Sequence, residues 1–173
     1  MEDRNVKRFS DKEVVLQLKS KYGKAFTEFK LVKPGVIKAT LRSRDHILKI
    51  CRFLKYKLNF RYPFSISAVE LPDNYEVVYH LVSYENNNLI ELHLPVPRDD
   101  PKVMSVVRVW KGANAHEREA YDMMGIVFET HPDLRRILLP DDVDYFPLRK
   151  DFPLEGPAEM KNRGCRLDGT GRF

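Results

Sequence analysis

The chain has 173 residues, of which 43% are hydrophobic, and a formal net charge of +5. That length suits one domain with a sizeable core. No apolar run approaches the roughly 18 residues of a membrane-crossing helix, and the charged N-terminus lacks the apolar centre of a signal peptide. These properties exclude integral membrane and secreted classes, so we expect a soluble protein.

The chain contains two cysteines, Cys51 and Cys165, and one glutamine, Gln17. Two thiolates are too few for an iron-sulfur cluster or a closed zinc site. We therefore expect a reduced, cytoplasmic protein that binds no cluster of its own. The scarcity of thermolabile glutamine favours a thermophilic source.

Charge is divided unevenly along the chain. Residues 1–61 carry 17 Lys and Arg against six Asp and Glu, whereas residues 62–173 carry 13 against 19. A basic half attracts an acidic partner. The sequence thus predicts that its first third faces an acidic neighbour.

The first predicted element is a helix from Ser10 to about Tyr22. Ser10 and Glu13 form a capping box, and Gly23 stands where a left-handed residue usually ends a helix. A strand is predicted at residues 36–41, directly after a Pro-Gly turn signal.

A second helix is predicted at residues 44–58, because its apolar residues recur at spacings of three and four. Its basic residues fall mostly outside this apolar stripe. We interpret three of them, Lys49, Arg52 and Lys55, as a basic docking face.

From residue 61 the apolar period changes to two, which is typical of strands. Tyr62, Phe64, Ile66 and Ala68 predict one strand with these side chains on the same face. A hairpin follows, and its asparagine-rich turn tolerates positive φ. The hairpin strands, predicted at residues 76–84 and 89–96, share one apolar face made of Val77, Tyr79, Leu81, Leu92, Leu94 and Val96. Helices and a strand before this antiparallel meander predict an α+β fold in which helices cover one face of a mixed sheet.

Two further helices are predicted after the meander. One is short, at residues 102–108, and the other is capped by Asn114 and ended by Gly125. Beyond Phe128 the periodicity stops and prolines become frequent, although large apolar side chains persist. We predict a domain at residues 1–128 and a long irregular C-terminal extension at residues 129–173. The extension is expected to dock on a partner, with folding back on its own domain as the alternative.

Catalytic motifs are weak. His116-Glu117 begins a zinc-protease motif, but Ala120 stands where the second histidine is needed. His80 and His93 become cross-strand neighbours if the hairpin turn is centred on Asn86-Asn87, yet they supply only two metal ligands. No Gly-rich phosphate loop or nucleophile elbow occurs. We therefore expect no active site within this chain.

A basic nucleic-acid-binding α+β module is the alternative function. The basic first third contains Phe53, Tyr56, Phe60 and Tyr62, and aromatic side chains stack on bases. These aromatics, however, occupy apolar-stripe or strand-core positions. Salt-sensitive binding to arbitrary DNA or RNA would support this alternative.

The stretch after residue 116 resembles the signature of the 30-kDa subunit family of respiratory complex I. The matching residues are Glu117-Arg118-Glu119, Asp122-Met123-Met124, His131 and Arg135, separated by two, six and three residues. The resemblance continues through Pro132-Asp133-Leu134-Arg135-Arg136-Ile137-Leu138 and Pro147-Leu148-Arg149-Lys150-Asp151-Phe152-Pro153-Leu154. Fixed residue types over almost forty positions are more specific than a short motif.

This resemblance implies a cofactor-free structural subunit of the peripheral arm, on the cytoplasmic side of a membrane-bound, ion-translocating oxidoreductase. Its expected partners are the large catalytic subunit, related to that of [NiFe] hydrogenases, and the small iron-sulfur subunit. Iron-sulfur clusters, and a NiFe centre in some relatives, would belong to those partners. Membrane association would be indirect.

The resemblance assigns scaffold and interface roles to the charged residues of the signature. They are Glu117, Arg118, Glu119, Asp122, His131, Asp133, Arg135, Arg136, Arg149, Lys150 and Asp151. Arg118, Arg135, Arg136 and Arg149 are expected to pair with the neighbouring acids, because a guanidinium binds a carboxylate in a bidentate manner.

One departure bears on the branch of the family. Members commonly have a Gly-His pair before the second proline-containing block, where this chain has Tyr145-Phe146. Together with the thermophile-like composition, this favours a membrane-bound [NiFe] hydrogenase or a ferredoxin-linked complex over the NADH:quinone type.

Overall fold

A computed structural model describes residues 8–153, and a five-stranded mixed sheet forms its centre. Its strands are β1 (Phe26–Lys33), β2 (Val36–Leu41), β3 (Tyr62–Glu70), β4 (Asn74–Ser83) and β5 (Asn88–Pro97). They lie in the order β1-β2-β5-β4-β3, in which only β2 and β5 are parallel neighbours. The predicted meander is β3-β4-β5, and the predicted mixed α+β architecture is confirmed.

Three helices accompany the sheet: α1 (Asp11–Tyr22), α2 (Ile47–Lys57) and α3 (Ala113–Met124). A short parallel pair, β6 (Lys102–Met104) and β7 (Val127–Glu129), flanks α3 in sequence. Within residues 8–153 no helix has both the length and the apolar character to cross a bilayer.

The core lies between the helices and one face of the sheet. Tyr79 stands opposite Leu92 and Val77 opposite Leu94, and all four side chains are fully buried. Cys51 of α2 packs in the same cluster as a small buried hydrophobe. The predicted shared apolar face of the hairpin is therefore confirmed.

The capping box of α1 forms as predicted, with the Ser10 amide donating to the Glu13 carboxylate at 2.8 Å. The prediction that Gly23 ends this helix in a left-handed conformation is wrong, because its φ is −50°. The chain instead tightens into a 3-10 turn, Gly23–Ala25, and enters β1 directly.

Strand β1 has no counterpart among the sequence predictions. It is an edge strand in which only Phe26 is buried, and two register irregularities interrupt its pairing with β2. Such a strand lacks the regular apolar alternation that marks a half-buried one. Its existence depends on pairing with β2.

Strand β3 departs from the predicted alternation at its start. Tyr62 and Phe64 are 49% and 71% exposed, whereas Ile66 is buried. The register shifts between Pro63 and Ser65, so an irregularity separates Phe64 from the core-facing positions that follow.

The predicted helix at residues 102–108 is wrong. Residues 102–104 form β6, with Val103 paired to Phe128 of β7, and a turn follows. The prediction that Asn114 caps α3 is also wrong, because Gly112 occupies the N-cap and Asn114 lies inside the helix. Gly125 ends α3 with φ +74°, as predicted.

The hairpin register excludes direct pairing of the two strand histidines. His93 stands opposite Val78, and His80 stands opposite Glu91. The His93 ring contacts the Glu76 carboxylate at 2.9 Å. The condition for a His80–His93 pair, a turn centred on Asn86-Asn87, is therefore not met, since the turn lies one residue earlier.

Residues 131–153 contain no helix or strand. They nevertheless lie against α3, because side chains of that helix bind their backbone groups. The predicted domain boundary after residue 128 falls within β7, and residues 154–173 of the predicted extension lie outside the described part.

Candidate functional site

Helix α3 carries four residues of the charged signature, Glu117, Arg118, Glu119 and Asp122, and Asp122 makes the most hydrogen bonds among them. The Asp122 carboxylate is fully buried and accepts hydrogen bonds from three consecutive backbone amides, those of Ile137 (3.0 Å), Leu138 (2.7 Å) and Leu139 (2.9 Å). Arg136 Nη1 lies 2.7 Å from the same carboxylate. One side chain thus fixes the path of an irregular segment.

Arg136 binds further along the returning segment, residues 131–153, which lies against α3. Its guanidinium also donates to the carbonyls of Val143 (2.7 Å) and Tyr145 (3.2 Å) and stacks over the Phe146 ring at 5.2 Å. The predicted pairing of Arg136 with a signature acid is confirmed. The side chain is 8% exposed, so these bonds form largely away from water.

The environment of Asp122 favours its charged form. Burial alone would raise the pKa of this carboxyl, but the backbone amides and Arg136 outweigh that effect and hold the pKa below its ordinary value. Asp122 therefore remains an anion at neutral pH and acts as a fixed acceptor.

Arg118 and Arg149 bind carbonyls rather than acids. Arg118 donates to the carbonyls of Arg135 (3.0 Å) and Arg136 (2.8 Å). Arg149 donates to the carbonyl of Met124 at the C-terminal end of α3 (2.9 Å), where the helix dipole favours a cation. The prediction that both arginines pair with signature acids is wrong for the part of the chain described.

Gly125 allows the returning chain to approach α3 closely. A Cβ atom at this position would lie 2.8 Å from the Phe146 ring. The same ring stacks under Arg149, whose guanidinium carbon is 4.4 Å from its centroid. Gly125 is thus required both by its left-handed backbone and by the side chains packed on it.

Glu70, at the end of β3, is a site residue that the sequence analysis missed. Its carboxylate accepts the Lys150 amide (2.6 Å) and the Arg98 guanidinium (2.6 Å). The Lys150 amide is the main reason that the Glu70 pKa lies below its ordinary value. A signal existed in the sequence, since Glu70 falls two and four residues after Ala68 and Ile66 on the core-facing side of the strand.

Glu117 points from α3 in another direction, into the core. Its fully buried carboxylate accepts the Ser105 hydroxyl (2.6 Å) and the Val106 amide (2.7 Å). His131 Nε2 lies 4.0 Å away, and its side chain is also buried. Glu117 therefore ties α3 to the turn after β6, and no arginine pairs with it among the described residues.

Burial shifts the pKa values of Glu117, His131 and Cys51 so that the neutral form of each is favoured. It raises the pKa of Glu117 to about 7, although the Ser105 and Val106 bonds oppose the shift. It also lowers the pKa of His131. Burial and Glu117 raise the pKa of the Cys51 thiol well above its ordinary range, so Cys51 is no nucleophile at neutral pH.

The remaining signature residues lie at the surface. Arg135 and Asp133 form the predicted ion pair at 3.0 Å, but both side chains are more than half exposed. Glu119, Lys150 and Asp151 are exposed as well. Glu119 lines a cavity of about 150 Å³ between α3 and β3 together with His116 and Leu148.

The three residues of the predicted basic docking face differ in their exposure. Lys49 and Arg52 are exposed on α2, as predicted, whereas the Lys55 ammonium donates to the Val109 carbonyl and is only partly exposed. Two of the aromatics considered for base stacking are also engaged: Phe60 is fully buried, and Phe53 packs edge-on against Tyr22.

The hydrogen bonds of the signature residues hold one part of the chain, residues 131–153, against another, α3. Within residues 8–153 no cluster of three His, Cys, Asp or Glu side chains is arranged to hold a metal ion. The returning segment presents apolar side chains outward, with Ile137 40%, Leu138 63% and Leu148 61% exposed. Exposed apolar side chains on an ordered segment are candidates for contact with another protein.

Comparison with known proteins gives a consistent result. The family pattern of the respiratory-chain NADH dehydrogenase 30 kDa subunit matches residues 41–158. A subunit of the NADH-quinone oxidoreductase of Geotalea uraniireducens is 37% identical over 153 residues, 87% of this chain and 92% of that protein. A subunit of the F(420)H(2) dehydrogenase of Methanosarcina mazei is 38% identical over 142 residues, 80% and 89% of the two chains.

Solved structures show the same similarity. A chain of the membrane-bound sulfane sulfur reductase, an archaeal respiratory membrane complex, matches with TM-score 0.76 and 26% identity over 94% of this chain and 95% of that one. A trypsin-resistant fragment of Nqo5 matches with TM-score 0.59 and 28% identity, over 70% and 98% respectively.

Proposed function

We propose that this chain has a structural role and holds no redox centre of its own. It belongs to the 30 kDa subunit family of respiratory-chain NADH dehydrogenase. The chain is a subunit of a complex-I-like respiratory complex. Within that complex it acts as a scaffold in the peripheral arm, on the cytoplasmic side, and docks on the large catalytic subunit.

The main support for this proposal is that charged side chains of the signature bind backbone groups of the same chain. Asp122, Arg118, Arg136 and Arg149 bind backbone groups of residues 135–145 or the end of α3, so they order the chain and are not free to react with a substrate. Between its exposed charges the ordered segment also presents apolar side chains outward, namely Ile137, Leu138 and Leu148. A rigid apolar surface loses little entropy on docking.

A double variant tests the docking surface. Leu138→Glu with Leu148→Glu places two charges on it, and we expect the subunit to be lost from the purified complex, because burying an unpaired charge is strongly unfavourable. Tyr84→Glu, at a residue 71% exposed in the hairpin turn, is the matched control and should remain bound. Equal retention of both variants would contradict the docking surface.

The absence of a redox centre is tested separately. Metal analysis and optical spectra of the purified chain should show no stoichiometric iron, nickel or flavin. The clusters and any NiFe centre then belong to the large catalytic subunit and the small iron-sulfur subunit. A bound cluster or flavin in this chain would overturn the proposal.

We further propose the hydrogenase or ferredoxin-linked branch in preference to the NADH:quinone type. Support comes from Tyr145-Phe146, which stand where family members commonly have a Gly-His pair, and from the scarcity of glutamine. The Phe146 ring packs between Arg149, Arg136 and Tyr121. Identification of the co-purifying subunits tests this choice. An NADH-binding flavoprotein subunit in the native complex would contradict it.

A further inference from the structure

An apolar groove runs between α1 and the edge strand β1, at the opposite end of the sheet from β3. It has a volume of about 380 Å³. Its walls combine apolar and basic side chains with one acid: Val15, Leu16, Phe29, Leu31, Lys12, Lys19, Lys30 and Asp11. None of these residues lies in the stretch matched by the family pattern, which begins at residue 41.

Large apolar side chains around this groove face water. Leu16 is 67% exposed and Leu31 50%. Single exposed leucines are common on protein surfaces, but two that face one cleft from neighbouring elements indicate a binding surface. Covering Leu16 and Leu31 would remove apolar surface from water at little structural cost.

The edge of the sheet beside the groove is open. β1 pairs with β2 on one side, and within residues 8–153 no strand pairs with its other side. An open edge offers backbone donors and acceptors to another polypeptide, while lysines on it discourage indiscriminate pairing. A lipid makes no use of such an edge.

The charge around the groove is positive. Lys12, Lys19 and Lys30 are exposed, and the Lys19 ammonium lies 5.5 Å from the Phe29 ring centroid, over the floor of the groove. The carboxylate of Asp11 is already occupied, because it accepts the Gly35 amide (2.9 Å) and the Asn88 side-chain amide (3.4 Å). The three ammonium groups are therefore available to carboxylates of a partner.

We propose that the α1–β1 groove binds an acidic polypeptide segment of a partner subunit. A large apolar side chain of that segment lies between Leu16 and Leu31, and its carboxylates face Lys12, Lys19 and Lys30. A two-fold symmetric contact with a second copy of this chain does not fit, because it would bring the same lysines against one another. The inference rests on the proposed function, in that the partner is a subunit of the same complex.

Photocrosslinking in the intact complex tests the occupant. A photoreactive residue at position 16 should crosslink to a peptide of another subunit that is rich in Asp and Glu. The same residue at position 84, where Tyr84 is 71% exposed in the hairpin turn, should give no such product. Products formed at position 16 only with lipid or with a second copy of this chain, or no product, would overturn the groove proposal. Retention of the chain in the complex reports on the proposed function independently.

Charge reversal gives the second test. The variant Lys12→Glu, Lys19→Glu, Lys30→Glu should bind the complex roughly tenfold more weakly, with less dependence on salt. The control Arg42→Glu, Arg108→Glu, Lys111→Glu makes the same change in net charge at exposed residues outside both the groove and the basic docking face of α2 and should bind like the wild type. Equal weakening of both variants would show that only net charge matters and would overturn the proposal.

Discussion

Strands β1 to β5 form a sheet whose inner face is buried against helices, whereas residues 131–153 contain neither helix nor strand and lie on α3 through hydrogen bonds. In the sheet, fully buried side chains such as Tyr79, Leu81 and Leu92 contribute roughly 1.5 to 3 kcal/mol each. In the returning segment, Asp122 alone accepts three consecutive amides.

The difference explains how an irregular, proline-rich chain is ordered. Backbone groups in a sheet are paired by neighbouring strands, but a segment without regular structure must find other partners. Here Asp122, Arg118 and Arg136 supply them. For the described residues 131–153 the structure shows the alternative, in which the extension folds back on its own domain. Docking of the extension on a partner subunit stays a prediction.

The largest effect is expected from a change in the sheet core. Leu81→Ala removes a fully buried side chain and should lower the free energy of unfolding by about 3 to 5 kcal/mol. Hydrogen exchange should become faster in both regions together, because the sheet supports α3 and α3 supports the segment. Leu16→Ala, at a residue 67% exposed, should change stability by less than about 0.5 kcal/mol. Faster exchange confined to residues 131–153 would contradict this dependence.

A pH-dependent effect is expected from Glu117, which lies between the two regions. Its folded-state pKa of about 7 exceeds its ordinary value of 4.5, so the folded state holds the proton more tightly. The resulting stabilisation is fully present below pH 4.5 and is lost as the pH rises through 7. Relative to Glu117→Gln, the wild type should lose up to about 3 kcal/mol over this range in urea unfolding. Parallel pH profiles of the two proteins would contradict the shift.

A local effect of about 2 to 3 kcal/mol is expected from Asp122→Ala, because it leaves three part-buried amides and the largely buried Arg136 guanidinium without this acceptor. Exchange of the Ile137, Leu138 and Leu139 amides should become roughly a hundredfold faster, while the sheet stays protected. The lowered pKa adds a pH test: the contribution of Asp122 is present above its ordinary pKa of 3.8 and is lost as the pH falls through the folded value. Asp133→Ala, at an exposed acid, is the control, and equal exchange in both variants would refute the role of Asp122.

The smallest effect is expected at Arg135, whose ion pair with Asp133 is largely exposed. Arg135→Ala should change stability by less than about 0.5 kcal/mol. Arg136→Ala, one residue further on, removes bonds to Asp122, Val143 and Tyr145 and should release the segment. Equal losses for the two arginines in thermal unfolding would show that charge, rather than the buried bonds, holds the segment.

The sequence alone was sufficient where partners are close along the chain. The capping box of Ser10 and Glu13 spans three residues, and the β4–β5 hairpin brings neighbouring strands together through a short turn. The apolar face of Val77, Tyr79 and Leu81 followed from the period of two. The family signature also identified Asp122 and Arg136, although not the atoms that they bind.

Tertiary structure decided whatever depends on distant residues. β1 exists because it pairs with β2, and β6 is a strand rather than a helix because Val103 meets Phe128. Glu70 binds the Lys150 amide across 80 residues. Local sequence patterns reflect the conformational preferences of adjacent residues. A buried acceptor such as Asp122 or Glu70 binds a donor from a distant part of the chain, and only the fold brings the two together away from water.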